Sequence, residues 1–362
     1  MLSECWLHIG CEKTGTTSIQ HFLARNRDRL AEVDWLYPKA PGPTNHLGLT
    51  AYAQEDTKID DVRIWLGIRG ATKAQQYRYQ LTRKLERELA SSPVSRAVFS
   101  GEHMSSRLHA DSEIARLKAL CDTLAARTRV IVYIRNQADF LASWYATQVL
   151  CGETRPLAWP PTTDVFRLMD YEAMLALWEG VFGHENVIVR RFEPDDFPDG
   201  SLLADFARCL GIETEGFAAV APQNPALDAS ALAFLRVFNR LVPPFKGKQV
   251  DRRRGPIAEA MQEKFSSREP LKLPGWMAEE IELRFRESNR RVAENWFGGE
   301  HNPLFAPPQL VDAAARETND KLDHALSIVI ASQLWTWQQR RINRLEKQLA
   351  SLTRPKREEG GD

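Results

Sequence analysis

Cysteine is scarce in this chain. The 362 residues include five cysteines, which are Cys5, Cys11, Cys121, Cys151 and Cys209. This odd, scattered set has no metal-ligand spacing. It argues against a disulfide framework and a cysteine-based metal site, so we expect a reducing compartment. Cys11 falls inside a candidate loop, where we expect it to serve as a small buried side chain.

The chain also lacks an excess of charge of either sign and a long hydrophobic run. Its 48 basic residues balance 48 acidic ones, which argues against a nucleic-acid partner or an anionic membrane surface. A membrane-spanning helix needs about 20 predominantly apolar residues. The nearest candidate, residues 325–337, is interrupted by Ser327, Ser332 and Gln333. No signal-like segment precedes the first predicted strand, so we expect a cytoplasmic protein without a transmembrane segment.

The most informative feature is the start of the chain, where a strand-like run at 5–10 leads into a loop. Lys13 stands before Gly15 there, whereas in an ordinary nucleotide-binding loop the lysine follows the last glycine. Glycine lets the backbone approach an anion, and the free amides at the start of the next helix bind phosphate. Hydroxyl side chains add donors, and here they are Thr14, Thr16, Thr17 and Ser18. A tight turn capped by serine or threonine is the alternative.

A second strand-like segment ends in an arginine. Residues 128–134 form an apolar, β-branched run typical of a buried parallel strand. Arg135 ends this run, and Ser143 follows on a predicted helix. A guanidinium fork and a helix hydroxyl suit a phosphate group. ATPases and kinases need a carboxylate for magnesium, so an arginine at this strand end argues against them. A solvated arginine with a capping serine is the alternative interpretation.

These two segments, in this order, resemble those of sulfotransferases that use 3′-phosphoadenylyl sulfate (PAPS). The resemblance implies that the loop binds the 5′-phosphosulfate of PAPS and that Arg135 and Ser143 bind its 3′-phosphate. It also implies that Phe192 contacts adenine, with core packing as the alternative, and that Arg254 approaches the 3′-phosphate from a basic loop. The similarity is to bacterial members that modify carbohydrates, so the expected acceptor is a hydroxyl of a sugar or glycolipid. No metal is expected.

The catalytic candidates follow a third strand-like segment, residues 94–99. Glu102 and His103 stand side by side just after it, and ligands of α/β sheets bind at the carboxyl ends of strands. The acceptor hydroxyl must lose a proton, for which histidine is the usual base and a buried glutamate also serves. We favour His103 as base, with Glu102 as base or orienting group. We expect the two to point to opposite sides of an extended chain. Lys13 would stabilise the leaving group.

Two further candidates lie in a turn-rich loop, residues 41–46. Asn45 and His46 are candidates for contact with the acceptor substrate, because loops beside a nucleotide site often bind substrate. A surface turn without a functional role is the alternative interpretation.

Strand-like and helical segments alternate over residues 1–242, beginning with a helix at 16–31. This alternation predicts a parallel sheet flanked by helices, and the resemblance places it among P-loop-containing, sulfotransferase-like α/β folds. We expect an irregular basic lid or loop at 243–274, a helical C-terminal extension at 275–353 and a disordered tail at 354–362. Apolar residues at near-heptad spacing in the last helix permit a homodimer, although packing against the chain itself is preferred. They are Trp335, Ile342, Leu345, Leu349 and Leu352.

Two other functions stay open. One is an NTP-dependent kinase on the same scaffold, which the position of Lys13 and the missing strand-end carboxylate disfavour. The other is a non-catalytic nucleotide-binding protein that kept the loop, and the presence of both Glu102 and His103 argues against it.

Overall fold

A computed structural model gives the structure of the chain. It describes residues 1–220, 227–243, 245–246, 249–250, 254–265, 271–301, 303–306 and 324–353. The chain divides into two compact units. The first comprises Met1–Trp144, Ala158–Gln223 and Trp276–Gln309, and the second comprises Tyr145–Leu157, Asn224–Gly275 and Leu310–Asp362. The predicted tail, 354–362, lies outside the described residues, and the predicted domain boundaries stay predictions.

The first unit contains a five-stranded parallel sheet, which confirms the predicted α/β class. Its strands are β1 (Leu2–His8), β2 (Trp35–Leu36), β3 (Arg96–Ser100), β4 (Ala125–Ile134) and β5 (Val187–Arg191). Their order across the sheet is β2-β3-β1-β4-β5. In the central strand, Leu7 pairs with Phe99 on one side and Val130 on the other. The loop that follows β1 therefore lies between the ends of β3 and β4, at the edge where α/β sheets bind ligands.

Helices connect the five parallel strands, as parallel pairing requires, and later helices follow β5. The connecting helices are α1 (Thr16–Arg25), α2 (Arg27–Glu32), α3 (Leu47–Ala53), α4 (Asp61–Trp65), α5 (Ala71–Ala90), α6 (His103–Arg107), α7 (Asp111–Leu124), α8 (Gln137–Cys151), α9 (Thr163–Met169) and α10 (Tyr171–Phe182). The later helices are α11 (Leu202–Cys209), α12 (Ala229–Leu241), α13 (Arg254–Lys264), α14 (Gly275–Phe297) and a long C-terminal helix (His324–Thr353). A short antiparallel hairpin pairs β6 (Phe245–Lys246) with β7 (Gln249–Val250). The segment 243–274, which we expected to be irregular, thus contains a hairpin and a helix.

The sheet packs between two helical layers. On one face, Ile114 of α7 and Trp178 of α10 belong to a buried cluster that includes side chains of β1 and β4. On the other face, Ile19 of α1 and Phe206 of α11 belong to a second cluster. Both faces of the sheet are covered, so residues 130–134 at the end of β4 are buried on both sides. This explains why the sequence of this segment is a continuous apolar run.

The predicted first helix, 16–31, is wrong in one respect, because it is interrupted at Asn26. α1 ends just before this residue and α2 begins just after it. Asn26 Nδ2 donates to Phe22 O at 2.9 Å, and Asn26 Oδ1 accepts from Ala218 N at 2.7 Å. The asparagine side chain replaces backbone partners at the break. Its contact with residue 218 depends on the tertiary fold.

The described part of the second unit is mainly helical. Trp337 of the C-terminal helix donates through Nε1 to Glu263 Oε2 of α13 at 2.7 Å. The same helix buries Ile330 and exposes Trp335 and Ile342. The predicted helical C-terminal region is confirmed, and the homodimer stays a prediction. Among the helices that the structure describes, none is both long enough and apolar enough to cross a membrane.

Candidate active site

The loop after β1 has an unusual backbone. Gly10, Lys13 and Gly15 all have left-handed φ angles, of 62°, 68° and 75°. For a lysine this conformation is uncommon, and such strain clusters at functional sites. At this φ any side chain on residue 15 would be strained, and its Cβ would also crowd Leu202 Cδ2 and the Phe192 ring, so glycine is favoured there. The loop turns tightly and presents the first amides of α1, which lack partners within the helix.

The four hydroxyl residues of the loop divide into two pairs. Thr14 and Thr16 are buried, and their Oγ1 atoms donate to Cys11 O at 2.6 and 3.3 Å. These two hydroxyls therefore hold the loop together and do not offer their hydrogens to a phosphate, although the amides of the same residues still can. Thr17 and Ser18 are partly exposed on the first turn of α1. They are the hydroxyl residues of this loop that solvent can reach, and their contact with an anion stays a prediction.

Cys11 is buried within the loop, as expected. Burial is the main cause that raises the pKa of its thiol, and the nearby carboxylates of Glu12 and Glu102 raise it further. A buried thiol that stays protonated is a poor nucleophile. Its position fits the predicted role of a small packing side chain.

The arginine at the end of β4 touches the loop. Arg135 Nη1 donates to Lys13 O at 2.9 Å. The Arg135 guanidinium also lies over the ring of Phe192, 5.3 Å from its centroid. Asn136 Oδ1 accepts from Ala138 N at 2.9 Å and so caps α8, the helix on which the partly exposed Ser143 lies. Residues that follow β1, β4 and β5 therefore meet at one edge of the sheet.

Among the described residues, the structure shows no contact between Arg254 and this site. It begins α13 in the second unit, and its side chain lies outside the described residues. Its proposed contact with a 3′-phosphate stays a prediction.

Glu102 and His103 lie beside the loop, but not on an extended chain. Glu102 has helical backbone angles, φ −56° and ψ −34°, and His103 begins α6. The prediction that they point to opposite sides of an extended segment is therefore wrong, because the chain turns into a helix directly after β3. A Cβ on Gly10 would lie 2.7 Å from Glu102 Cα, so Glu102 is pressed against the loop. The His103 ring instead packs edge-on against Trp65, at 6.1 Å between centroids.

The surroundings of Glu102 favour its protonated form. Burial is the main cause that raises its pKa, and the nearby carboxylate of Glu12 raises it further. The neighbouring His103 acts most strongly in the opposite direction, followed by the positive charges of Lys13 and Arg107. Such a balance of burial and opposing charges is typical of catalytic carboxyl groups.

Sequence reasoning missed three charged residues of this site. Arg107 Nη1 lies 3.5 Å from Glu12 Oε1, and the Arg107 guanidinium also donates to both carboxylate oxygens of Asp61, at 3.2 and 3.3 Å. Arg107 thus bridges the loop to α4. Glu12 adjoins Lys13 and could have been noticed, whereas the contact with residue 61 depends on the tertiary fold. Within the described ranges, no three His, Cys, Asp or Glu side chains are grouped as metal ligands would be.

The structure places His46 in the core. The prediction that His46 contacts the acceptor substrate is therefore wrong. Its ring is fully buried and stacks on Tyr37. Nε2 is hydrogen-bonded to Pro38 O at 2.8 Å, and Nδ1 accepts from Ser100 N at 3.1 Å. Both ring nitrogens are engaged with the backbone, so the ring has no atom to offer a substrate. Asn45 is partly exposed in the same loop and stays a candidate.

Two buried histidines should make the fold sensitive to acid. Burial lowers the pKa of His8 and of His46 to about 3, whereas an unfolded histidine titrates near 6.5. Between these values the unfolded chain binds protons that the folded chain does not, so stability is complete above about pH 6.5 and is lost as the pH falls toward about 3. From pH 7 to pH 5, each residue should remove about 2 kcal/mol from the free energy of unfolding.

Urea unfolding at pH 7 and pH 5 tests this expectation. His46→Gln should lose less stability over that interval than the parent chain, by about 2 kcal/mol. His21→Gln is the control, because His21 is exposed on α1, and it should follow the parent. Equal losses in His46→Gln and the parent would contradict the neutral state of the buried ring.

No protein-family model matches the chain. A curated protein of Archaeoglobus fulgidus, described as uncharacterized, is 28% identical over 195 residues, which are 51% of this chain and 50% of that protein. The chain therefore spans about half the length of this curated relative. Among solved structures, a sulfotransferase from Alicyclobacillus acidocaldarius matches 81% of this chain and 95% of its own, with 14% identity and a TM-score of 0.38. A TM-score this low supports neither a common fold nor a common function.

Proposed function

We propose that this protein is a sulfotransferase that moves the sulfuryl group of PAPS to a hydroxyl group of an acceptor. The observation that carries the proposal is the contact between Arg135 Nη1 and Lys13 O. PAPS has phosphate groups on both the 5′ and the 3′ positions of one ribose, so it needs two anion sites a ribose apart. An anion-binding loop after β1 and an arginine at the end of the adjacent β4 meet this requirement.

Each part of the nucleotide has a proposed partner. The amides of the loop and Lys13 would hold the 5′-phosphosulfate, with the hydroxyls of Thr17 and Ser18. Arg135 and Ser143 would hold the 3′-phosphate. The Phe192 ring would pack against adenine, beside the Arg135 guanidinium that it already contacts.

We propose Glu102 as the base, in place of the His103 that the sequence alone favoured. Glu102 lies against the loop, and its raised pKa suits proton transfer better than that of an ordinary carboxyl group. The His103 ring packs on Trp65, and its Nδ1 is buried with no hydrogen-bond partner among the described residues. We assign His103 to the positioning of α6.

The proposed transfer balances in a single step. Glu102 accepts the proton of the acceptor hydroxyl while the acceptor oxygen forms a bond to sulfur. The bond between sulfur and the bridging oxygen of the 5′-phosphate breaks, and 3′-phosphoadenosine 5′-phosphate leaves. Lys13 and the amides at the start of α1 stabilise the negative charge that develops on that bridging oxygen.

Calorimetric titration tests the donor class directly. We expect micromolar binding of 3′-phosphoadenosine 5′-phosphate without added metal, and much weaker binding of ATP with magnesium. Preference for magnesium-ATP would replace the sulfotransferase with the kinase. Binding of neither would leave a folded protein without a nucleotide function. The non-catalytic alternative would bind 3′-phosphoadenosine 5′-phosphate. It would not convert PAPS to that nucleotide with any hydroxyl acceptor tried.

A further inference from the structure

We propose that a cavity next to the loop binds the apolar body of the acceptor, and that this acceptor is an aliphatic alcohol. Its assignment as the acceptor site rests on the proposed sulfotransferase function. The cavity has a volume of about 360 Å³, within the range of small-molecule sites. Cys11 and Glu12, the two residues that precede Lys13, form part of its wall. A ligand in the cavity therefore contacts the start of the loop that would hold the sulfuryl donor, and the hydroxyl would have to extend past the wall to meet Glu102, which does not line the cavity.

The wall of the cavity has a polar and an apolar part. The polar part comes from the loop, from α6 and the residues after it, and from α9. It comprises Glu12, Ser105, Ser106, His109 and Arg167. The apolar part comes mainly from α10, with Met174, Leu177 and Trp178. A ligand that matches both parts has a polar group, such as a hydroxyl, joined to a hydrocarbon body. Because buried polar groups without partners are costly, the apolar part disfavours a free sugar, whose hydroxyls surround the whole ring.

The polar part is held in place by internal hydrogen bonds. Ser105 Oγ donates to Gly10 O, and Ser106 Oγ accepts from Arg107 Nη1 at 3.1 Å. The same Arg107 nitrogen lies 3.5 Å from Glu12 Oε1. The wall next to the loop is therefore ordered by contacts within the protein, and a ligand hydroxyl would meet a preorganised surface.

Binding of hexan-1-ol, followed by saturation-transfer NMR, tests the cavity without requiring turnover. Ala173 lies exposed on α10 and lines the cavity, whereas Ala176 lies exposed on the same helix and does not. We expect Ala173→Phe to weaken hexan-1-ol binding by about ten-fold or more, because the ring fills the cavity. Ala176→Phe is the matched control and should bind within about two-fold of the parent. Methyl β-D-glucoside, a polar ligand, should not bind.

Parallel titration of each variant with 3′-phosphoadenosine 5′-phosphate separates the two proposals. Loss of hexan-1-ol binding in Ala173→Phe with nucleotide binding retained supports the acceptor site. If Ala173→Phe loses hexan-1-ol binding but the parent protein binds no nucleotide, the cavity is still an apolar ligand site. The proposed sulfotransferase function is then overturned. If the parent protein does not bind hexan-1-ol, or if both variants bind it equally, the inference is overturned regardless of the result of the nucleotide titration. If the parent protein binds methyl β-D-glucoside and not hexan-1-ol, and Ala173→Phe abolishes that binding, the inference of an aliphatic alcohol is overturned in favour of a carbohydrate acceptor.

Discussion

Replacement of Glu102 by Gln should lower turnover by about 10²–10⁴-fold, the usual contribution of a general base. Gln keeps the shape of the side chain and cannot accept the proton. Glu102 lies against Gly10 through its backbone, which the substitution leaves intact, so the loop should keep its form. Removal of a negative charge near Lys13 should leave the affinity for 3′-phosphoadenosine 5′-phosphate unchanged or stronger. Steady-state kinetics and calorimetry on the same preparations separate these two effects.

The pH profile provides a second readout of the same residue. A base works only when it is deprotonated, so turnover should fall as the pH decreases through the raised pKa of Glu102. This acidic limb should be absent from the residual activity of Glu102→Gln. His103→Ala serves as the comparison and should cost no more than about ten-fold in turnover, as expected of a positioning residue. If His103→Ala abolishes turnover and Glu102→Gln does not, the base is the histidine that the sequence alone favoured.

The parts of this site that could be predicted are those that lie close together in the chain. Lys13 and Gly15 belong to one strand–loop–helix segment, and Arg135 follows a strand whose apolar run identifies it as buried in the interior of the sheet. The order of strands then brings the two segments together, because parallel strands present their carboxyl ends at one edge. The left-handed φ of Gly15 gives it a conformational role in the loop, whereas its predicted contact with an anion stays a prediction.

The residues that sequence reasoning misplaced depend on contacts across the fold. His46 looks like an exposed loop residue, yet its ring fills a buried space between Tyr37 and Phe99. The bridge from Glu12 through Arg107 to Asp61 joins residues that are far apart in sequence. Local pattern cannot show such pairings, because the intervening loops carry no periodic signal.

Replacement of Arg135 by Ala should weaken binding of 3′-phosphoadenosine 5′-phosphate by roughly 10–150-fold, the cost of about 1.5–3 kcal/mol for lost hydrogen bonds to a charged group. Binding of 5′-AMP, which lacks the 3′-phosphate, should fall far less. The comparison of the two nucleotides is necessary because Arg135 also holds the carbonyl of Lys13. If the substitution acted only by loosening the loop, both nucleotides would lose affinity to the same extent.

Three further variants make the assignment of the 3′-phosphate to Arg135 decisive. Arg135→Lys keeps the charge but not the planar fork, so it should restore part of the lost affinity. Arg127→Ala removes an exposed arginine from the other end of the same strand, where Arg127 contacts Asn186, and should change neither nucleotide's affinity. Lys13→Ala should weaken the binding of both nucleotides, because Lys13 is proposed to face the 5′-phosphate that they share.

Equal losses of affinity for 5′-AMP and for 3′-phosphoadenosine 5′-phosphate in Arg135→Ala would contradict a 3′-phosphate site at this strand end. The kinase would then be the stronger explanation of the loop, since ATP has no 3′-phosphate for Arg135 to bind.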